Sequence, residues 1–192
     1  MRSRTAEWFI CKIRYEKVME DGLQKKVMEP YVVDALSFTE AEERIIEEMS
    51  NYIIGEFDVV EIDRCPFKEI FFMDWAIKVL EKDAEDLDKA VRNKDKDAFK
   101  KWNNETLEDK FSKGGDSLWY KAKLQFITID ERTEKEKRSN VYYLVEGVSL
   151  ESARQNIDKV MGGTMIDYVI CSVSETKIMD VFEYTVKKEE ES

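Results

Sequence analysis

From Phe9 to Tyr15 every second residue is apolar or aromatic (Phe9, Cys11, Ile13, Tyr15), with Lys12 and Arg14 among the residues between them. A period of two sends alternate side chains to opposite faces, so this stretch is predicted to be a strand with one buried face. The polar turn EDGLQKK and a second apolar run, YVVDAL, follow as a hairpin signal, with a turn too long to fix the register. The period then changes. Phe38, Ala41, Ile45 and Met49 stand three and four apart, which is one face of a helix, and Ser37 with Glu40 fits a capping box at its start. GEFDVVEIDRC and FKEIFF close the segment as a strand pair. The unit reads ββαββ, an antiparallel sheet with one helix laid across a face.

The same order recurs. WFICKIRYEKV (8–18) lies over WYKAKLQFITI (119–129) at an offset of 111, pairing Trp8 with Trp119, Lys12 with Lys123 and Tyr15 with Phe126. That offset continues to Tyr31 with Tyr142 and Val33 with Leu144, then becomes 112 for Ser37 with Ser149, Ala41 with Ala153, Ile45 with Ile157 and Met49 with Met161. It returns to 111 for Phe57 with Tyr168, Val59 with Ile170, Ile70 with Val181 and Phe71 with Phe182. Two small compensating gaps over so long an alignment identify a tandem duplication. In the second helix Leu150, Ala153, Ile157, Val160 and Met161 form the apolar face, Ser149 and Ser152 keep half of the capping box, and Gly162-Gly163 marks the stop.

The fold class expected is therefore α+β: two tandem ββαββ repeats joined by a helical hairpin insert. The expected segments are the first repeat at 1–73, the charged insert at 74–116, the second repeat at 117–185 and a disordered acidic tail at 186–192. In the insert, Trp75, Val79, Leu80, Leu87 and Val91 precede the polar break RNKDKD, and Phe99, Trp102, Leu107 and Phe111 follow it, which predicts a pair of helices. An arm of this kind either stands solvated or docks on a partner. The aromatics Trp75, Phe99, Trp102 and Phe111 are the candidate partner contacts.

Charge narrows the partners. The formal net charge is −11, and each segment is acidic: 10 basic against 16 acidic side chains over 1–72, 10 against 12 over 73–116, and 11 against 14 over 117–192. Such a field repels phosphate backbones and anionic lipid, so direct nucleic-acid binding is not expected without a local basic patch. No stretch reaches the roughly 18 uncharged apolar residues of a membrane span, and charge runs through the N-terminal apolar segment, unlike a signal peptide. The protein is expected to stay where it is made, with Cys11, Cys65 and Cys171 as reduced, buried thiols.

Candidate chemistry is sparse. Without histidine the usual near-neutral acid and base is missing, and with it the Ser-His, Cys-His and zinc-histidine constellations; no glycine-rich phosphate loop occurs. No catalytic, cofactor or metal residue is predicted, and the protein is expected not to be an enzyme. Glu43 and Glu47, one turn apart on the first helix, are the best carboxylate pair, but they read as a solvated outer face because the second repeat drops them. Trp8 and Trp119 beside Lys12 and Lys123 admit a base-stacking reading; core anchors with solvent-side lysines is the preferred one.

The strings WFICKIRYEKVMEDGLQKKVMEPYVVDALSFTEAEERIIEEM and MGGTMIDYVICSVSETKIMDVFEY resemble an uncharacterised domain-of-unknown-function family of Bacteroides-type gut bacteria and their phages, crAss-like phages among them. The likeness covers both repeats. It implies no activity and no catalytic residues, and it implies a short joint between the halves, where this chain carries an insert of about 40 residues. Taken with the repeat architecture, the expectation is a structural or assembly protein: a homo-oligomer that also contacts other assembly proteins, placed in the bacterial host cytoplasm or in a phage particle as a ring or connector subunit of the neck or tail. The alternative is a small acidic regulatory or anti-defence protein that occupies a site on a host protein.

Overall fold

The computed structural model describes residues 6–73, 75–104 and 117–184, the last-named part of the insert (105–116) and the tail (185–192) lying outside them. The first repeat supplies β1 (Glu7–Val18), β2 (Gln24–Ala35), α1 (Phe38–Tyr52), β3 (Phe57–Arg64) and β4 (Glu69–Phe71). The insert supplies α2 (Trp75–Arg92) and α3 (Lys96–Asn104), and the second repeat β5 (Leu118–Ile129), β6 (Glu136–Gly147), α4 (Leu150–Met161), β7 (Asp167–Glu175) and β8 (Val181–Phe182). The α+β class and the internal duplication are as expected.

The closing strands depart from expectation. The two sheets run β3-β1-β2-β8 and β4-β6-β5-β7, so each repeat finishes the other's sheet. Val32 and Val33 pair with Val181 and Phe182, and Glu69–Phe71 pair with Tyr143–Val145, both in parallel. The remaining pairings are antiparallel. Connection length explains the exchange. Inside its own sheet β4 would lie parallel to β3, which needs a crossover of about a dozen residues or more. Only residues 65–68 separate the two strands. The chain instead crosses to the neighbouring sheet, and a local pseudo-two-fold results. Its bonds recur in pairs: Cys65 N–H to Trp8 O and Thr176 N–H to Trp119 O, then Lys68 N–H to Tyr142 O and Met179 N–H to Pro30 O, all 2.8 Å.

The register also corrects the repeat alignment. Trp8 faces Asp34 and Trp119 faces Glu146, so the one-residue insertion precedes the second strand of the hairpin. Tyr31 corresponds to Tyr143 and Val33 to Val145, not to Tyr142 and Leu144. A slip of one residue reverses the face of every side chain, and only the corrected pairing puts each member on the helix side. The extra residue sits in the turn: residues 19–23 connect the first hairpin, 130–135 the second. Gly22 takes the left-handed conformation in one (φ 80°), Glu134 in the other (φ 53°).

Each sheet buries one face under its helix. Phe9, Cys11, Ile13, Val33 and Ala35 pack with Ala41, Ile45, Met49 and the exchanged Phe182. Tyr120, Ala122, Leu124, Tyr143 and Val145 pack with Ala153, Ile157, Met161 and the exchanged Phe71. On α4 the buried position expected of Val160 belongs to Asn156, whose amide reaches the carbonyls of Phe71 and Glu146, while Val160 and Leu150 face solvent. Both helix starts are capped. Ser37 Oγ accepts from Glu40 N–H at 3.2 Å and Glu40 accepts from Leu36 N–H at 2.6 Å. Ser149 and Ser152 repeat both contacts at 3.1 and 3.4 Å.

A third cluster joins the sheets on the faces away from the helices: Trp8, Val32, Phe67, Ile70, Trp119, Leu144 and Val181. The preferred reading of the tryptophans as core anchors is refined here, because they anchor the joint between sheets rather than either helix-side core. Phe72 stands between them, 6.5 Å from Trp8 and edge-on to Trp119 at 5.6 Å.

Candidate interaction surfaces

The buried polar groups belong to the exchange. Asp34, fully buried, ends β2 and accepts from the backbone N–H of Tyr184, just past β8, at 2.8 Å. Glu146 ends β6 at the matching position and accepts from Met73 N–H, just past β4, at 2.9 Å. Each carboxylate thus latches the strand donated by the other repeat. The latches differ in charge. Arg44 reaches the carbonyl of Asp34, ion-pairs with its carboxylate at 3.4 Å and with Glu40 at 2.8 Å, and lies 5.1 Å from the Tyr184 ring centre. Its counterpart is the neutral Asn156, bonded to the Glu146 carbonyl at 3.1 Å.

A second cluster looks like acid-base equipment. Tyr15 and Tyr31 both donate to Glu29 Oε2, at 2.9 and 3.0 Å, with Lys17 at 3.4 Å from the other oxygen. Burial, and then Glu29 itself, pushes the Tyr15 phenol up to about 12 and the Tyr31 phenol higher still. Both stay protonated as donors, and the cluster works as a clamp across β1 and β2.

Among the described residues no group of three or more Cys, Asp or Glu side chains converges on a metal-sized site. Glu42, Glu43 and Glu47 lie on the exposed side of α1. The three cysteines differ from the expectation of uniform burial: Cys11 is buried and its thiol pushed up to about 12, chiefly by that burial, Cys65 is half-buried, and Cys171 is exposed. Cys171 is the bulged residue of β7, where the pairing with β5 skips between Lys123 and Leu124. Val60 holds the same bulge in β3. Bulges on β3 and β7, one edge strand of each sheet, bend them away from simple strand addition.

The insert forms two helices with the break where the sequence placed it. Asp95 caps α3, its carboxylate accepting from Asp97 and Ala98 N–H at 3.1 and 3.0 Å, and Lys94 turns the chain in the left-handed conformation (φ 50°). Phe99 and Trp102 pack together with ring centres 6.0 Å apart, and Trp102 is half-buried. Phe99 is 45% exposed. Trp75 opens α2, but its side chain lies outside the described residues, as does the whole of Phe111. Of the four candidate contacts the structure therefore brings two together.

Sequence reasoning missed the latch residues Asp34, Glu146 and Asn156. A signal existed in the polar residue interrupting each apolar run, YVVDAL and VYYLVEGV, at one aligned position. No helix among the described residues is long and apolar enough to cross a membrane. The family model of a domain of unknown function, DUF4494, matches twice, over residues 7–83 and 84–184. No curated protein matches the chain.

Proposed function

The chain belongs to the DUF4494 family, whose description names no activity, and we propose on that footing that it is a non-enzymatic assembly protein working through protein-protein contacts. The observation carrying this reading is Phe99, 45% exposed on the insert and packed against the half-buried Trp102 with ring centres 6.0 Å apart. Aromatic side chains so placed supply large contact area at little entropic cost, as in interface hot spots. The interlocked sheets would serve as a rigid body behind them. The finer reading is a ring or connector subunit of a phage neck or tail, motivated by the resemblance of the repeats to proteins of gut bacteria and their phages. Size-exclusion chromatography with light scattering tests it: defined oligomers are expected at high concentration, and a strict monomer contradicts the reading.

The second reading, a regulatory or anti-defence protein that covers a basic site on a host protein, is favoured by the acidic balance of −11. Salt-sensitive capture of a host protein by a monomeric chain is its signature.

A further inference from the structure

Beyond the cluster that joins the sheets, the duplication left the uncovered parts of their two faces away from the helices with different charge. On the first, Lys12 pairs with Glu61 and Arg14 Nη2 meets Asp58 at 2.9 Å, with Asp63 next along the strand. This face neutralises itself. On the second, Lys123 keeps the place of Lys12 and Lys121 replaces Ile10. Their acidic partners are gone: Val169, Ser172 and Ser174 occupy the positions of Asp58, Glu61 and Asp63. β7 carries no charge from Tyr168 to Ser174. Among the described residues neither lysine has a carboxylate within ion-pair reach; Lys121 instead stands 4.8 Å from the Tyr142 ring centre. Val169 is 45% exposed beside them. On a chain of net charge −11 this is a cationic, half-apolar island.

The chain itself carries the complementary surface. Glu42, Glu43 and Glu47 project from the exposed side of α1 around Ile46, and none has an ion-pair partner among the described residues. Glu43 and Glu47, four apart, repel each other at a small cost to the helix. The last turn of α1 has no basic residue, whereas Lys159 stands in that of α4. Arg154, Gln155 and Lys159 replace the three glutamates in the second repeat, so the acidic face is confined to α1 as the basic face is confined to the second sheet.

We infer that the uncovered part of the second sheet's face away from α4, around Lys121, Lys123 and Val169, docks the acidic face of α1 of a second copy of this chain. Three carboxylates meet two ammonium groups, and Ile46 covers the apolar ground at Val169. Because the two surfaces are unlike and lie on different repeats, the contact is head-to-tail and propagates to a ring or a filament. This deepens the proposed assembly role and rests on it.

Charge reversal of the full chain tests it, read by sedimentation velocity at low and high salt. The wild-type chain associates at low salt and less at high salt. Lys121→Glu with Lys123→Glu in one variant, and Glu43→Lys with Glu47→Lys in another, each weaken association by about tenfold or more, since like charges then face each other. Mixing the two variants restores it, because each reversed face meets its complement; this recovery also shows that both variants fold. Association of either variant at wild-type strength, or no recovery on mixing, overturns the interface while leaving the assembly role standing. A wild-type chain that stays monomeric overturns both. Binding of a single-stranded oligonucleotide through Lys121 and Lys123 by a chain that does not self-associate assigns the face to a nucleic acid and overturns the inference.

Discussion

Beside its buried carboxylate the first repeat carries an arginine, and the second an asparagine. Asp34 sits between Arg44 and the Tyr184 amide; Glu146 holds the Met73 amide while Asn156 spans the nearby carbonyls. The geometry of the strand exchange is the same in both, so the latch itself needs only a carboxylate aimed at the incoming backbone. What differs is the consequence of losing it. The outer sheet faces teach the same lesson in reverse, one topology carrying paired charges in one copy and lone lysines in the other.

That comparison breaks first at the latches. Asp34→Ala leaves the Tyr184 amide unmet and takes one of two carboxylates from Arg44, which keeps Glu40, for a loss of about 2–4 kcal/mol. Glu146→Ala leaves the Met73 amide unsatisfied, for which about 1–3 kcal/mol is expected. Urea unfolding measures both, and equal losses would show that the arginine is not what separates the copies. Next, Gly147 marks a close approach that its counterpart Ala35 does not require: a Cβ at 147 would stand 2.7 Å from Ala153 N. Gly147→Ala is expected to cost about 1–3 kcal/mol by overpacking, with a drop in midpoint at unchanged slope.

The thiols sharpen the comparison further. Cys171 alkylates in the folded protein and Cys11 does not until unfolding, which mass spectrometry of iodoacetamide-treated samples reads directly. The Cys11 thiol rises from 9.0 to about 12 on folding. The native state therefore holds a proton that the unfolded chain releases. Its contribution to stability is complete below pH 9 and is lost as pH climbs from about 9 to about 12. Cys11→Ala removes that part of the alkaline decline. The smallest effect on stability is expected from Phe99→Ala, below about 1 kcal/mol, because its side chain is exposed; loss of partner binding without unfolding is the outcome that fits the assembly role.

Much of the architecture was legible in the residues. Alternation marked β1 and β5, spacings of three and four marked α1 and α4, Ser37 and Ser149 marked the helix starts, and RNKDKD marked the break between α2 and α3. The exchange was not legible, because Ile70-Phe71 and Val181-Phe182 are equivalent apolar pairs that suit either sheet. Only the short span 65–68, set against a parallel pairing, forces the crossing. The register of β6 was lost for a related reason, since YVV matches YYLV at two offsets and the extra residue hides in a polar turn. Candidate contacts were legible as exposed aromatics on an insert. The unpaired lysines were not, because their meaning depends on knowing which residues of β3 and β7 share a face with Lys12 and Lys123.

The strand exchange is tested most directly by amide and α-proton NOEs in a labelled sample of the full chain. Cross-strand contacts are expected between Val32 and Asp180–Val181, and between Leu144 and Ile70, at the spacing of paired strands. Contacts of Val181 with Leu144 and of Ile70 with Val32 at that spacing would mean that each repeat closes on itself, and would contradict it.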